Sequence, residues 1–255
     1  KQQRSLGVSD SELIWIAIKS MGLDELKPFV PAERIIEYRL RDPHEKRLVD
    51  LSVTSFADET SSESPAPGGG SVAALIGALG ASLGAMVANL SSHKKGWDAR
   101  WEEFSEWAAR GQALKAELLG LVDEDTRAFN RVLAAMGMPK GSDAEKAARS
   151  AAIEEANRGA IEVPFRVMKA AHASFDVIKA MAEQGLKASA SDAGVAALCA
   201  RTAVLGAWLN VRTNVASLKN KRPVEALLYE GGNLAADAER LEVETRRIAE
   251  KRFEE

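Results

Sequence analysis

The chain has one cysteine, three histidines and only 5% aromatic residues among its 255 positions. Cys199 stands alone in an apolar stretch, which excludes a disulfide framework and points to a reducing, cytoplasmic setting. With no histidine near it in sequence, Cys199 reads as a small buried hydrophobe. His44, His93 and His172 are scattered, and no His, Cys or carboxylate grouping has metal-ligand spacing. Gly-x-Ser-x-Gly, phosphate-loop and dinucleotide fingerprints are all absent. A net charge of −3, from 34 basic and 37 acidic residues, provides no basic field for nucleic acid. β-Branched and aromatic runs are sparse while alanine and leucine abound, so the composition favours helices over sheets. No secretory signal opens the chain: Lys1-Gln-Gln-Arg4 leads into an ordinary amphipathic segment. The first residue is not methionine, so a fragment or processed product of something larger is expected.

What the sequence does hold is a charge-free stretch from Ser64 to Ser92 built almost wholly of small residues. It opens with Pro65-Ala-Pro-Gly-Gly-Gly-Ser71. The two prolines restrict the approach, and Gly68, Gly69 and Gly70 then free the backbone. Ser71 is read as the N-cap of a helix over Val72–Leu90. Glycines at a helix start leave N–H groups bare for an anion or a planar ligand, or they simply hinge a tightly packed helix. The stretch is long enough to span a bilayer, and Gly80 and Gly84 have the Gly-x-x-x-Gly spacing of membrane helix pairs. Its content of alanine and glycine favours a soluble core helix without a membrane span.

Everything after Leu48 reads as helical. A short helix is expected at about Val49–Glu59. His93-Lys94-Lys95-Gly96 ends the small-residue helix, and a long helix follows from Asp98 to Met136. Ser142-x-x-Glu145 is a capping box that starts the next, which Pro164 kinks or divides and Gly185 closes. Ser191-Asp192 is expected to cap a helix reaching Leu218. Pro223 begins the last, where Leu227, Leu234, Leu241 and Ile248 repeat every seven residues as a seam for the bundle or a partner. Before Leu48, Ser9-x-x-Glu12 caps a helix that Gly22 stops, and the charged Arg39–Arg47 stretch looks like a linker. Two parts follow: residues 1–47, a short segment plus linker, and residues 48–255, an all-α multihelical bundle.

Two constellations carry chemistry. In the long helix, Leu114, Leu118, Leu121, Val122, Phe129, Val132, Leu133 and Met136 set the buried stripe. At about 100° per residue Asp125 falls on that stripe between Leu121 and Phe129, while Asp123 and Glu124 point away. A carboxylate there either pairs with a base or serves as an acid of raised pKa. In the Ser191–Leu218 helix, Asp192, Cys199, Gly206 and Asn210 share a face, with Asn214 one turn beyond. Such amides either read the edge of a heterocycle or satisfy neighbouring backbone. Lys94 and Lys95, followed by Arg100, are either solvated helix-end cations or a hold for a polyanionic tail.

Ser64-Pro-Ala-Pro-Gly-Gly-Gly-Ser-Val-Ala73, Asp123-Glu-Asp-Thr-Arg-Ala-Phe129, Met138-Pro-Lys140, Ser191-Asp192, Gly206-Ala-x-x-Asn210 and Asn214 occur in one order. The combination resembles the formimidoyltetrahydrofolate cyclodeaminase family, from about Leu48 onward. Lys1 to Gly7 and Pro31-x-Glu-Arg-Ile-Ile-Glu-Tyr38 resemble the closing segment of the formimidoyltransferase domains fused to it in bifunctional enzymes. The resemblance implies an all-α fold and homodimers or larger homo-oligomers. The implied reaction, in histidine degradation and folate one-carbon metabolism, closes 5-formimidoyltetrahydrofolate to 5,10-methenyltetrahydrofolate and releases ammonia. It implies a tetrahydrofolate substrate, often polyglutamylated, with no metal and no prosthetic group. The catalytic aspartate would lie in Asp123–Asp125, with Asp125 favoured over Asp123. Pro67, Gly68, Gly69, Gly70 and Ser71 would cradle the pterin near Asp192, Asn210 and Asn214, and Lys94 and Lys95 would meet the glutamate tail. A methenyltetrahydrofolate cyclohydrolase, or a non-catalytic scaffold oligomerising through Pro223–Glu255, are the alternative readings.

Overall fold

The computed structural model describes residues 7–40, 46–218 and 220–254, with side chains described to residue 252. Lys1–Arg4, His44 and the middle of the expected linker lie outside the described residues. Nine α-helices are present among the described residues, and no strand. They are α1 (Asp10–Ser20), α2 (Pro31–Arg34), α3 (Ile36–Arg39), α4 (Val53–Thr60), α5 (Gly69–Ser92), α6 (Trp101–Met136), α7 (Asp143–Gln184), α8 (Ala190–Ala216) and α9 (Glu225–Glu254).

Local signals explain most boundaries. The Ser9 hydroxyl accepts the Glu12 N–H at the start of α1. Gly22, at φ +64°, ends that segment in the left-handed region that glycine tolerates. The Ser142–Glu145 capping box is formed in both directions at α7. Elsewhere the caps differ from expectation. Gly68, with no side-chain bond, holds the N-cap position of α5, because the extended backbone turns helical already at Gly69. Ser71 is therefore the third residue of the helix, and its hydroxyl turns inward. Ser189 holds the N-cap position of α8, so Ser191 and Asp192 lie inside its first turn. Pro164 does not divide α7, which runs unbroken over 42 residues. A single 3₁₀ turn, Asp98–Arg100, precedes α6.

The five long helices alternate in direction. Gly70 of α5 lies beside Asp125 of α6, whereas Ala85 lies beside Gly111, so those two helices run antiparallel. Gly69 faces Asn210 and Gly80 faces Ala196–Ala200, so α5 and α8 are antiparallel too. α5, α6, α7 and α8 close a four-helix ring, and α9 packs outside it on α7 and α8. A Cβ on Gly80 would lie 3.1 Å from the Ala196 carbonyl oxygen, a measure of how closely α5 and α8 approach. Their seam is alanine on alanine: Ala74, Ala78 and Ala81 with Ala196, Ala200 and Ala203, all buried. α6 and α7 fill the remaining space with Leu118, Leu121, Ile161, Met168, Phe175 and Ile178. Each such side chain contributes about 1.5–3 kcal/mol by burial.

α5 and the Lys187–Ala216 segment are long and apolar enough to cross a membrane by composition. Here both are central bundle helices. The seven-residue leucine seam of α9 is not its buried stripe. Ala235, Ala238, Glu242, Thr245 and Ala249 are buried, while Leu227, Leu234 and Leu241 straddle them, half-buried. The reason is close approach: a Cβ on Gly231 would meet the Trp208 ring at 2.5 Å, so small residues must face α8.

Candidate active site

The alternating directions bring the start of α5, the end of α6, the first half of α7 and the end of α8 to one end of the bundle. Between them lies a cavity of about 400 Å³, lined by Pro65, Ala66, Gly68–Gly70, Asp125, Phe129, Asn157, Asn210 and Asn214 among others. That volume suits a small organic ligand.

Among the described residues, Asp125 is the one ionisable residue in its lining. Burial pushes its carboxyl above the ordinary value of 3.8, and hydrogen bonds from Ser71 pull it partly back. The Ser71 hydroxyl lies 3.0 Å from Asp125 Oδ2. The carboxyl presses so close to the first turn of α5 that a Cβ on Gly70 would stand 2.2 Å from Oδ1. Only glycine fits there. A carboxyl whose hold on its proton is strengthened by burial, in a lining with no other charge among the described residues, has the character that general acid catalysis uses.

The amides complete the polar lining. Asn210 donates to the Gly206 carbonyl at 2.9 Å, within its own helix. Asn214 donates to the Ala160 carbonyl of α7 at 2.6 Å, tying the two helices together at the cavity edge. Both therefore satisfy backbone and line the cavity at once. Gly68, Gly69 and Gly70 line it as well, while Pro67 is buried behind them.

The other expected members are elsewhere. Asp123 does not point into solvent: it is 8% exposed, and its Oδ1 accepts the Leu48 N–H at 2.6 Å. It lines a different and larger cavity, of about 650 Å³, between Val8–Leu13, Arg47, Val49 and α6. Glu124 also has a partner, Arg166, at 2.7 Å. Asp192 precedes Asn210 by eighteen residues of one helix, about 27 Å, and does not line the cavity. Lys94 and Lys95 follow the far end of α5, about 35 Å from its start. Lys94 Nζ instead sits 4.3 Å above the Trp97 ring. The expected grouping of Asp192, Lys94 and Lys95 with the glycine turn thus fails within one chain, because the helices carry them to the opposite end.

Sequence reasoning missed several lining residues. Phe129 and Met136 were placed in the core stripe but are 38% and 50% exposed, forming an apolar wall of the cavity. Thr213 and Ser217 join Asn210 and Asn214 at i, i+3, i+4 and i+7, a polar stripe that was legible in the sequence. Asn157, buried on α7, had no such signal amid its charged neighbours.

A family model described as Formiminotransferase-cyclodeaminase matches residues 52–231, and one described as Formiminotransferase domain matches residues 1–41. A formimidoyltransferase-cyclodeaminase of Rattus norvegicus is 34% identical over 90% of this chain. The chain spans 44% of that relative's length. A methenyltetrahydrofolate cyclohydrolase of Methylorubrum extorquens is 37% identical, covering 73% of this chain and 90% of its own. The solved structure of a formiminotetrahydrofolate cyclodeaminase from Thermotoga maritima superposes with a TM-score of 0.66. It is 25% identical, covering 80% of this chain and 96% of its own.

Proposed function

Because the chain belongs to the formiminotransferase-cyclodeaminase family, we propose that its cavity closes 5-formimidoyltetrahydrofolate to 5,10-methenyltetrahydrofolate and releases ammonia. The observation that carries this reading is Asp125, its carboxyl pushed up by burial inside a cavity with no other charge among the described residues.

N10 of the folate attacks the formimidoyl carbon, and a C–N10 bond forms. The formimidoyl group reacts in its protonated, amidinium form, so its nitrogen becomes a neutral amine on attack, which must be protonated once more to leave. Protonated Asp125 donates that proton, the C–N bond breaks and ammonia departs. The proton released by N10 returns to the Asp125 carboxylate, so one carboxyl ends as it began. Asn210 and Asn214 face the pterin edge, and Phe129 and Met136 its apolar surface. The glycines let a planar ring approach the helix start. Asp123 has a different part: it fixes the backbone at Leu48 to α6.

The partner of this domain would be the formimidoyltransferase domain, whose closing segment residues 1–41 match. Self-association is supported by the outer face of α5, which has no charged residue. Val72, Ile76, Leu79, Leu83, Met86 and Leu90 fall there at heptad spacing, and Val195, Leu198 and Leu209 extend the face along α8. Two helices about 35 Å long present about 700 Å², or about 1,400 Å² buried in a symmetric pair, enough for a stable interface.

The 37% identical cyclohydrolase relative favours a second reading, hydrolysis of the methenyl product. A two-substrate assay separates them. The cyclodeaminase reading requires methenyltetrahydrofolate absorbance and ammonia to rise in equal amounts from the formimidoyl substrate. Loss of methenyl absorbance, with the formimidoyl compound untouched, would instead establish the hydrolase.

A further inference from the structure

The Ser71 hydroxyl has one hydrogen and two acceptors at equal range. Its Oγ lies 3.0 Å from the Val122 carbonyl oxygen and 3.0 Å from Asp125 Oδ2, with Thr126 Oγ1 at 3.4 Å. Ser71 is wholly buried, so its partners are protein groups. One hydrogen shared between both oxygens bonds each more weakly than it bonds one alone. When Asp125 is protonated, its own O–H donates to Ser71 Oγ, and the serine hydrogen goes to Val122. When Asp125 is ionised it can only accept, and the serine hydrogen is drawn to Oδ2 by the charge. Turning away strands nothing, because the Val122 carbonyl keeps the bond that an α-helix gives it from Thr126 N–H.

We propose that Ser71 is a positioning residue whose hydroxyl rotates with the charge on Asp125, facing Val122 while the acid holds its proton and Oδ2 once the proton has left. The inference rests on the reading of Asp125 as the proton donor. Its consequence is selective: the hydrogen bond to the carboxylate forms as the proton departs, so it favours the transition state over the resting acid. The Ser71 backbone N–H also donates to Asp125, but it is fixed and cannot follow the proton. Among the described residues no other charged group lines the cavity. α5 presents glycine backbone, α7 presents Asn157, and α8 presents Asn210, Thr213 and Asn214. On α6 itself Asp123 is turned to Leu48, Glu124 to Arg166, and Arg127 is exposed.

The test titrates the Asp125 carboxyl by infrared difference spectroscopy without substrate, subtracting the Asp125→Asn spectrum, in wild type and Ser71→Ala. Losing a donor to a charged acceptor moves the midpoint up by about one to two pH units. In steady-state assays kcat falls about 10–100-fold with KM unchanged, and the alkaline limb of the pH profile moves up with the midpoint. Should Ser71→Ala not fold, Ser71→Cys keeps the volume with a much weaker donor and is read the same way. An unmoved midpoint in the folded variant overturns the rotating donor. A midpoint that moves in a protein releasing no ammonia leaves Ser71's role standing and removes the cyclodeaminase reading.

Discussion

Replacing Gly70 with alanine perturbs the acid without touching it. The added Cβ would meet Asp125 Oδ1 at 2.2 Å and both Cγ and Oδ2 at 2.6 Å, where ordinary contact begins at 3.4 Å. The carboxyl must therefore retreat by about an ångström, since the other party is helix backbone. A displacement of that size at a reacting group costs about 100-fold in rate. Stability responds far less. Overpacking costs about 1–3 kcal/mol, and alanine in place of glycine in a helix returns up to about 1 kcal/mol. The net is a loss of about 0–3 kcal/mol, or at most about 12 °C in Tm for a domain of this size. Gly120→Ala in α6 is the control: nothing lies within 4 Å of its Cβ position. It is expected to raise Tm by about 2–4 °C and leave turnover unchanged. Initial rates of methenyltetrahydrofolate formation, with melts followed by circular dichroism, measure both. If Gly70→Ala retained turnover within about threefold, the close approach of the carboxyl to α5 would not be what places the acid.

Three further outcomes are expected. Asp123→Ala orphans the Leu48 N–H and loses about 1–3 kcal/mol of stability, while turnover persists; a collapse of turnover in the folded variant would move the acid to Asp123. Asp125→Asn alters stability in a pH-dependent sense. Because the folded carboxyl titrates above 3.8, its stabilising contribution is present below the unfolded value and lost as pH rises through the folded one. The Asn variant therefore matches wild type in acid and melts higher than it at neutral pH, and thermal melts showing the reverse order would refute the burial argument. Leu79→Glu or Leu198→Glu, on the charge-free face, should shift sedimentation toward the monomer; an unchanged sedimentation coefficient would place self-association elsewhere.

Helical phase alone was enough to read Asp125. Its carboxyl lies one turn from Leu121 and Phe129, and local spacing decides which way it faces. The same argument failed for Asp123, because its cover arrives from Leu48, 75 residues earlier in the chain. No periodicity within a helix reports what another segment lays over it. Likewise Asn210 and Asn214 were legible as inward amides, but Asp192 on the same helix was misplaced. Sharing a face says nothing about sharing an end, and an eighteen-residue offset is most of a bundle's length. Ser71 shows a third kind of limit. Serine beside glycines has the preference of a cap, and tertiary contact with Val122 and Asp125 overrode it.

The most direct measurement is the release of ammonia and the rise of methenyltetrahydrofolate absorbance from 5-formimidoyltetrahydrofolate, taken side by side for wild type and Asp125→Asn. Equal rises of both products in wild type, cut by about 100-fold or more in the folded Asn variant, are the expected result. Equal turnover by the two proteins would contradict the assignment of this cavity and its aspartic acid as the seat of the reaction.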